Sequence, residues 1–171
     1  MSLENWILAL ATRVRDGQAA ADPDLSPSAQ AVLLAVRHWA PVTVSELAAI
    51  LAVRQPTVSN LVRGLEEAGL LARADRHGRQ VPIIPTPAGT ARADALQAAQ
   101  RDQVADLLAD LAPGERDTLG RLLHKVLARG TGSRAQARTT CRYCDHGLCR
   151  GADCPVGTRA TELDGPFLRN P

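Results

Sequence analysis

Residues 42–69, VTVSELAAILAVRQPTVSNLVRGLEEAG, constrain the fold of this chain more than any other stretch. Thr43 and Glu46 form a T-x-x-E capping box, in which hydroxyl and carboxylate each satisfy an orphan backbone N–H. Val42 and Leu47 flank that cap at the spacing of a hydrophobic staple. Leu47, Ala48 and Leu51 then recur on one helical face. Pro56 suits the first turn of a second helix, where its missing N–H costs nothing, and Gly69 suits its left-handed stop. Ala48, Ala52, Val58 and Leu61, at intervals of four, six and three, are the small and apolar positions that let two such helices cross closely. The stretch therefore reads as a helix-turn-helix. Its outward residues are Arg54, Gln55, Thr57, Ser59, Asn60 and Arg63, side chains that hydrogen-bond base edges and phosphates. A plain αα-hairpin with a solvated face is the bland alternative, and it explains the cap but not the whole pattern.

The formal charge of the 171 residues is only +2, so DNA affinity has to come from placed charges. Between positions 54 and 79 five arginines (54, 63, 73, 76 and 79) face Glu66, Glu67 and Asp75, a local balance of +2. Aromatics make up 2% of the chain, which disfavours single-strand binding by base stacking. No basic region precedes the first apolar residues, and no apolar run approaches membrane-spanning length, so a cytoplasmic protein is expected.

Around the helix pair the pattern continues in order. Residues 1–25 give an amphipathic helix with Leu3, Trp6, Ile7, Leu10 and Val14 on one stripe, then a connector from Gly17. Residues 26–86 are the expected DNA-binding domain. Ser26 and Pro27 open its first helix, whose core face is Val32, Leu33, Val36 and Trp39. After Gly69, residues 70–74 and 79–84 read as two strands about an Asp75-Arg76-His77-Gly78 turn, a wing carrying Arg73, Arg76 and Arg79 toward backbone or minor groove. Pro82 and Pro85 are tolerable only at an edge. Residues 87–130 hold two helices, one capped by Thr86-Pro87 with Leu96, Val104, Leu107, Leu108 and Leu111 apolar, the other opened by Pro113 with Leu119, Leu122, Leu123, Val126 and Leu127 inward. A small winged domain cannot cover these stripes together with that of the first helix, so a homodimer is expected. His38, beside Trp39, reads as a packed or partly exposed side chain rather than a ligand, and His124, with no ligand-type neighbour at helical spacing, as structural.

Residues 1–129 resemble MarR-type winged helix-turn-helix regulators. The residues that carry the likeness are SELAAILAVRQPTVSNLVRGLEEAGLLAR, the wing HGRQVPIIPTPAG and LAPGERDTLGRLLHKV. The resemblance implies a mainly α fold with a two-stranded β wing, dimeric through its N- and C-terminal helices. It also implies a double-stranded palindromic operator, repression, and relief by a small-molecule or oxidant effector. Such wings carry Asp-x-Arg; here Arg79 holds the arginine position, His77 stands where the carboxylate is expected, and Asp75 lies two residues earlier.

Residues 131–140 read as a linker, 141–155 as a cysteine-rich segment, and 156–171 as an irregular tail. The segment is expected near the dimerisation end rather than at the recognition helices. Cys141, Cys144, Cys149 and Cys154 are the chain's only cysteines, spaced C-x2-C-x4-C-x4-C. In a reducing compartment such a set points to metal or redox chemistry rather than disulfides. Zinc on four thiolates is the leading expectation, with His146 as a substitute ligand; an iron–sulfur cluster and a metal-free dithiol switch are the alternatives. An enzyme with a cysteine nucleophile needs a paired base in a cleft, and only His146 is near, so no catalytic residue is assigned. A protein-interaction adaptor, using the winged fold for docking and the cysteines as a zinc platform, is the alternative function.

Overall fold

The computed structural model describes residues 2–75, 81–149 and 151–166. In chain order its elements are α1 (Leu3–Ala20), α2 (Pro27–Trp39), α3 (Val44–Leu51), α4 (Gln55–Glu67), β1 (Leu71–Arg73), β2 (Ile83–Pro85), α5 (Pro87–Leu107), α6 (Pro113–Arg129), α7 (Arg134–Thr140) and α8 (Pro155–Asp164). A single 3-10 turn at Gly151–Asp153 precedes α8. The architecture is that of a mainly helical winged helix-turn-helix.

The local signals act where the sequence puts them. Ser26 caps α2 by accepting from the Ala29 N–H at 3.2 Å. The Thr43–Glu46 box closes with the Thr43 N–H donating to the Glu46 carboxylate at 2.8 Å and the Glu46 N–H donating to the Thr43 hydroxyl at 3.3 Å. Thr86 caps α5 through the Gly89 N–H at 3.0 Å and donates its hydroxyl to the Gly69 carbonyl at 2.7 Å. One side chain thus ties the start of α5 to the chain segment entering β1. At Gly89 the two backbones run so close that a Cβ would lie 1.8 Å from the Leu70 carbonyl oxygen.

The core lies where α2, α3, α4, β1, β2 and α5 meet. Leu33, Leu34, Val36, Leu47, Val58, Val62 and Ile83 are all fully buried there. At ~1.5–3 kcal/mol for each large aliphatic side chain removed from water, this cluster holds the helix pair in one geometry. Staple residues Val42 and Leu47 are both buried, as their spacing implies. Buried Gln30 donates its amide to the carbonyls of Ala19, Asp22 and Leu25 at 2.9–3.1 Å, satisfying the backbone of the α1–α2 turn. Arg92 on α5 pins the same turn through Asp22 at 2.7 Å and holds that carboxyl below the usual range.

The wing is antiparallel, with Leu71 opposite Pro85, Ala72 opposite Ile84 and Arg73 opposite Ile83. Ile83 also exchanges both backbone hydrogen bonds with Val42, at 3.2 and 2.8 Å. Its neighbour Pro82 has no N–H to offer and contributes its carbonyl instead, to Ala74 at 2.9 Å.

Several expectations need correction. The connector begins later than Gly17, because α1 continues to Ala20. Helix α5 stops at Leu107 rather than near Leu111, and its buried face is Ala93, Leu96, Gln97 and Gln100 rather than the leucines further on. Residues 131–140 are not simply a linker. Ser133 caps α7 through the Gln136 N–H at 3.2 Å, and Gln136 returns its carbonyl to the Gly132 N–H at 2.7 Å. The tail is not irregular either: Cys154 caps α8, Pro155 opens it, and Val156 and Ala160 bury one turn apart. Both short helices survive because they pack on each other, with α7 also against α3 and α8 against α6.

Candidate nucleic-acid interface and cysteine cleft

The turn of the helix pair is built on Ala52, which takes the left-handed conformation at φ 55° and caps α3 with its N–H. Val53 N–H then reaches back to the Ala48 carbonyl at 3.1 Å, closing the helix end. From there α4 leaves with Val58, Val62 and Leu65 buried. Arg54, Gln55, Thr57, Asn60 and Arg63 all face solvent, and Ser59 is half-buried. Of the predicted recognition residues, five therefore share one exposed surface and the sixth lies at its margin. Sequence reasoning missed Ile50, Val62 and Leu65 as the apolar residues that set this orientation.

Arg73, expected to reach DNA from the wing, is committed elsewhere: its guanidinium pairs with Glu66 on α4 at 2.6 Å, bracing the wing against the recognition helix. Arg76, His77 and Arg79 lie outside the described residues.

The comparisons bear on this part of the molecule. The family model that matches is described as the MarR family, over residues 24–80. The chain carries a MarR-family domain. Solved MarR-type structures align with it over about three quarters of the chain. A Mycobacterium tuberculosis MarR family protein in complex with DNA is 23% identical, with a TM-score of 0.62, 74% of this chain and 98% of that one being covered. MepR, a transcription regulator of the Staphylococcus aureus multidrug efflux pump MepA, is 21% identical at a TM-score of 0.66, covering 77% and 100%. Escherichia coli MarR in its apo form is 23% identical at 0.65, covering 74% and 97%. Among curated proteins no relative matches the chain.

The MarR-type fold leaves two apolar faces uncovered in the single chain. No residue of α1 is buried, and Trp6 remains 58% exposed; on α6 Val126 remains 63% exposed, with Leu122, Leu123 and Leu127 beside it. These are the stripes assigned to dimerisation. No helix among the described residues is long and apolar enough to cross a membrane.

The cysteine segment lies only partly where expected. It does meet the α6 side through α8, but its first half docks on the helix-turn-helix domain. Tyr143 packs against the main core and shares a small cleft with Pro27, Ala31, Leu51, Thr57 and Leu61. The Tyr143 carbonyl accepts from Gln97 at 2.9 Å, Asp145 pairs with Arg101 at 2.6 Å, and the Thr139 hydroxyl donates to the Ala49 carbonyl at 3.4 Å. Half-buried His38 hydrogen-bonds Gln97 at 2.7 Å, and its ring stacks on His146 at 4.6 Å. His38 is thus a structural residue of the docking surface. Burial lowers both imidazoles below their ordinary value, since the charged form would lose its hydration.

All four cysteines line a single cleft of about 420 Å³, together with Trp39, His146, Arg134 and Arg138. Hydrogen bonding from Cys141 brings the Cys144 thiol down to about 7, while Cys141 itself is pushed up. Burial, then Cys154, pushes Cys149 up to about 12. Among the described residues no three His, Cys, Asp or Glu side chains form a group that could hold a metal ion. His146 lines the cleft, but its Nε2 is engaged with the Cys141 carbonyl at 3.1 Å.

Proposed function

We propose that the chain is a homodimeric transcriptional repressor that places one helix-turn-helix per subunit on a palindromic operator. The observation that carries this is the exposed polar row Arg54, Gln55, Thr57, Asn60 and Arg63 on a helix whose opposite face is locked into the core. Asn60 carries the side-chain amide that bridges adenine N6 and N7, and Arg63 the guanidinium that meets guanine or phosphate. Two such helices read half-sites about one helical turn apart, roughly 10 base pairs centre to centre.

The dimer reading rests on the apolar faces of α1 and α6, which a second copy covers at both ends of the chain. A small-molecule or oxidant effector acts, on this reading, by changing the spacing of the two α4 helices. The cysteine segment is read as a zinc module on Cys141, Cys144, Cys149 and Cys154, a reading supported by the cleft that all four line. Selection of bound fragments from the host genome, followed by footprinting and a reporter assay, tests the proposal. The expected result is a palindromic site whose reporter rises when the protein is deleted. A stable monomer by light scattering, or no sequence preference at physiological salt, overturns it.

A further inference from the structure

We infer that the cysteine segment forms part of the DNA-binding surface, with Arg142 as a phosphate contact on the flank of α4 that the wing leaves open. The inference rests on the operator reading and adds to it a residue from outside the helix-turn-helix.

A helix set into the major groove lies between two ridges of phosphate, and the contacts that position it come from groups on its two flanks. Thr57 and Glu66 of α4 stand about two and a half turns apart at 3.6 residues per turn, so they mark opposite flanks. On the Glu66 flank the wing is braced through Arg73 at 2.6 Å. On the Thr57 flank stands the cysteine segment: Arg142 and Tyr143 share one cleft with Thr57 and Leu61 of α4 and Ser28 of α2. The segment thus takes, on one side of the recognition helix, the place that the wing takes on the other.

Arg142 is the one charged side chain among the described residues that line this cleft. It remains partly exposed. Its Nη1 donates to the Thr139 carbonyl at 2.7 Å, and its guanidinium carbon lies over the Tyr143 ring at 5.1 Å. Both partners are neutral, so the positive charge is held in place without being cancelled, and the other N–H groups of the fork can still donate. The base of Arg142 is fixed as well. Tyr143 packs against the main core, and the Thr139 hydroxyl donates to the Ala49 carbonyl of α3 at 3.4 Å. A guanidinium positioned beforehand loses less rotamer freedom on binding. Ser28 and Thr57, exposed beside it, add hydroxyls of the kind that donate to phosphate oxygen. In a chain with a formal charge of only +2, one such placed cation counts.

The test titrates the full chain, Arg142→Gln and Arg142→Lys with the strongest-binding genomic fragment and with an unrelated duplex of equal length, from about 50 to about 200 mM salt. Arg142→Gln should weaken binding to both duplexes by a similar factor, about three- to tenfold at low salt, and reduce the log–log salt slope by about 0.9 per lost contact. Arg142→Lys should keep the slope. A fall in affinity with the slope unchanged shows Arg142 acting through packing and overturns the proposal. Equal or tighter binding by Arg142→Gln overturns it too, the tighter case marking the segment as a cover over α4. Should Arg142→Gln fold poorly by circular dichroism, phenylglyoxal modification of the wild type, read by mass spectrometry, decides instead. DNA should protect Arg142 as it protects Arg63, and equal modification with and without DNA overturns the proposal. A wild type without preference between the duplexes overturns the operator reading, while the slopes on the unrelated duplex still decide Arg142; a wild type that binds neither overturns both.

Discussion

Replacing Gly89 with alanine should destabilise the fold, although alanine is the better helix former. Gly89 sits in the first turn of α5, and an added Cβ lies 1.8 Å from the Leu70 carbonyl oxygen. Close carbon-to-carbonyl approaches stop at about 3.3 Å, so roughly 1.5 Å must be found. Both groups belong to the backbone or are fixed to it, and no rotamer change relieves the overlap. Either α5 shifts, breaking the Thr86 bonds to Gly69 and Gly89, or the entry to β1 moves and carries the wing with it. Overpacking of this kind costs about 1–3 kcal/mol, and often more where backbone must move; the propensity gain offsets at most about 1 kcal/mol. A net loss near 2 kcal/mol is expected, a fall of about 4–8 °C in Tm for a chain of this size. Gly64→Ala in α4 is the matched control. Nothing lies within 4 Å of its added Cβ, so only the propensity term acts and Tm should rise slightly. Thermal melts of the three proteins at one concentration decide the matter. An unchanged or raised Tm for Gly89→Ala refutes the reasoning.

Two further outcomes follow from the same structure, and one, for Arg79, from the sequence. Val126→Glu places a charge in the exposed α6 stripe, and light scattering should show a monomer that has lost operator affinity by at least tenfold, with the helical circular dichroism intact. Arg79→Ala should weaken binding to different operators by similar factors and reduce the log–log salt slope by about one per lost phosphate contact; titrations at several salt concentrations check this, and a loss of discrimination between operators counts against the wing assignment. For His38, whose pKa is lowered by burial, with His146 and Arg37 adding to the effect and Gln97 and Asp145 opposing it, the unfolded chain takes up the proton first. Stability therefore falls as pH drops below about 6.5 toward the folded value, and His38→Gln should flatten that part of a urea-denaturation pH series.

What the sequence disclosed was local. The Thr43–Glu46 box, the Ser26 and Thr86 caps and the polar row on α4 each depend on residues within a few positions of one another, and the structure reproduces them. The apolar stripes of α1 and α6 were legible as periodicity, and as faces with no partner in the chain. Helices α7 and α8 left fainter signals, a Ser133-x-x-Gln136 cap and a proline after Cys154, because seven to ten residues with one or two apolar positions resemble loop. Their placement was not legible at all. It rests on Arg101 with Asp145, Gln97 with Tyr143, and His38 with His146, pairs separated by more than forty positions. Arg73 was misread for another reason: its partner Glu66 is only seven residues back, but one lies on a helix and the other on a strand, so no single periodicity pairs them.

Tyr143 lies between two of the cysteines in sequence and against the helix-turn-helix in space. The segment that carries the cysteines is therefore also part of the surface that supports the recognition helix. Coupling free energies are reciprocal. If an occupant of the cleft changes operator affinity by some factor, operator DNA changes the grip on that occupant by the same factor. DNA then becomes an effector of the cysteine site, and the protein bound on its operator and the protein free in solution form two pools with different hold on what the cleft contains.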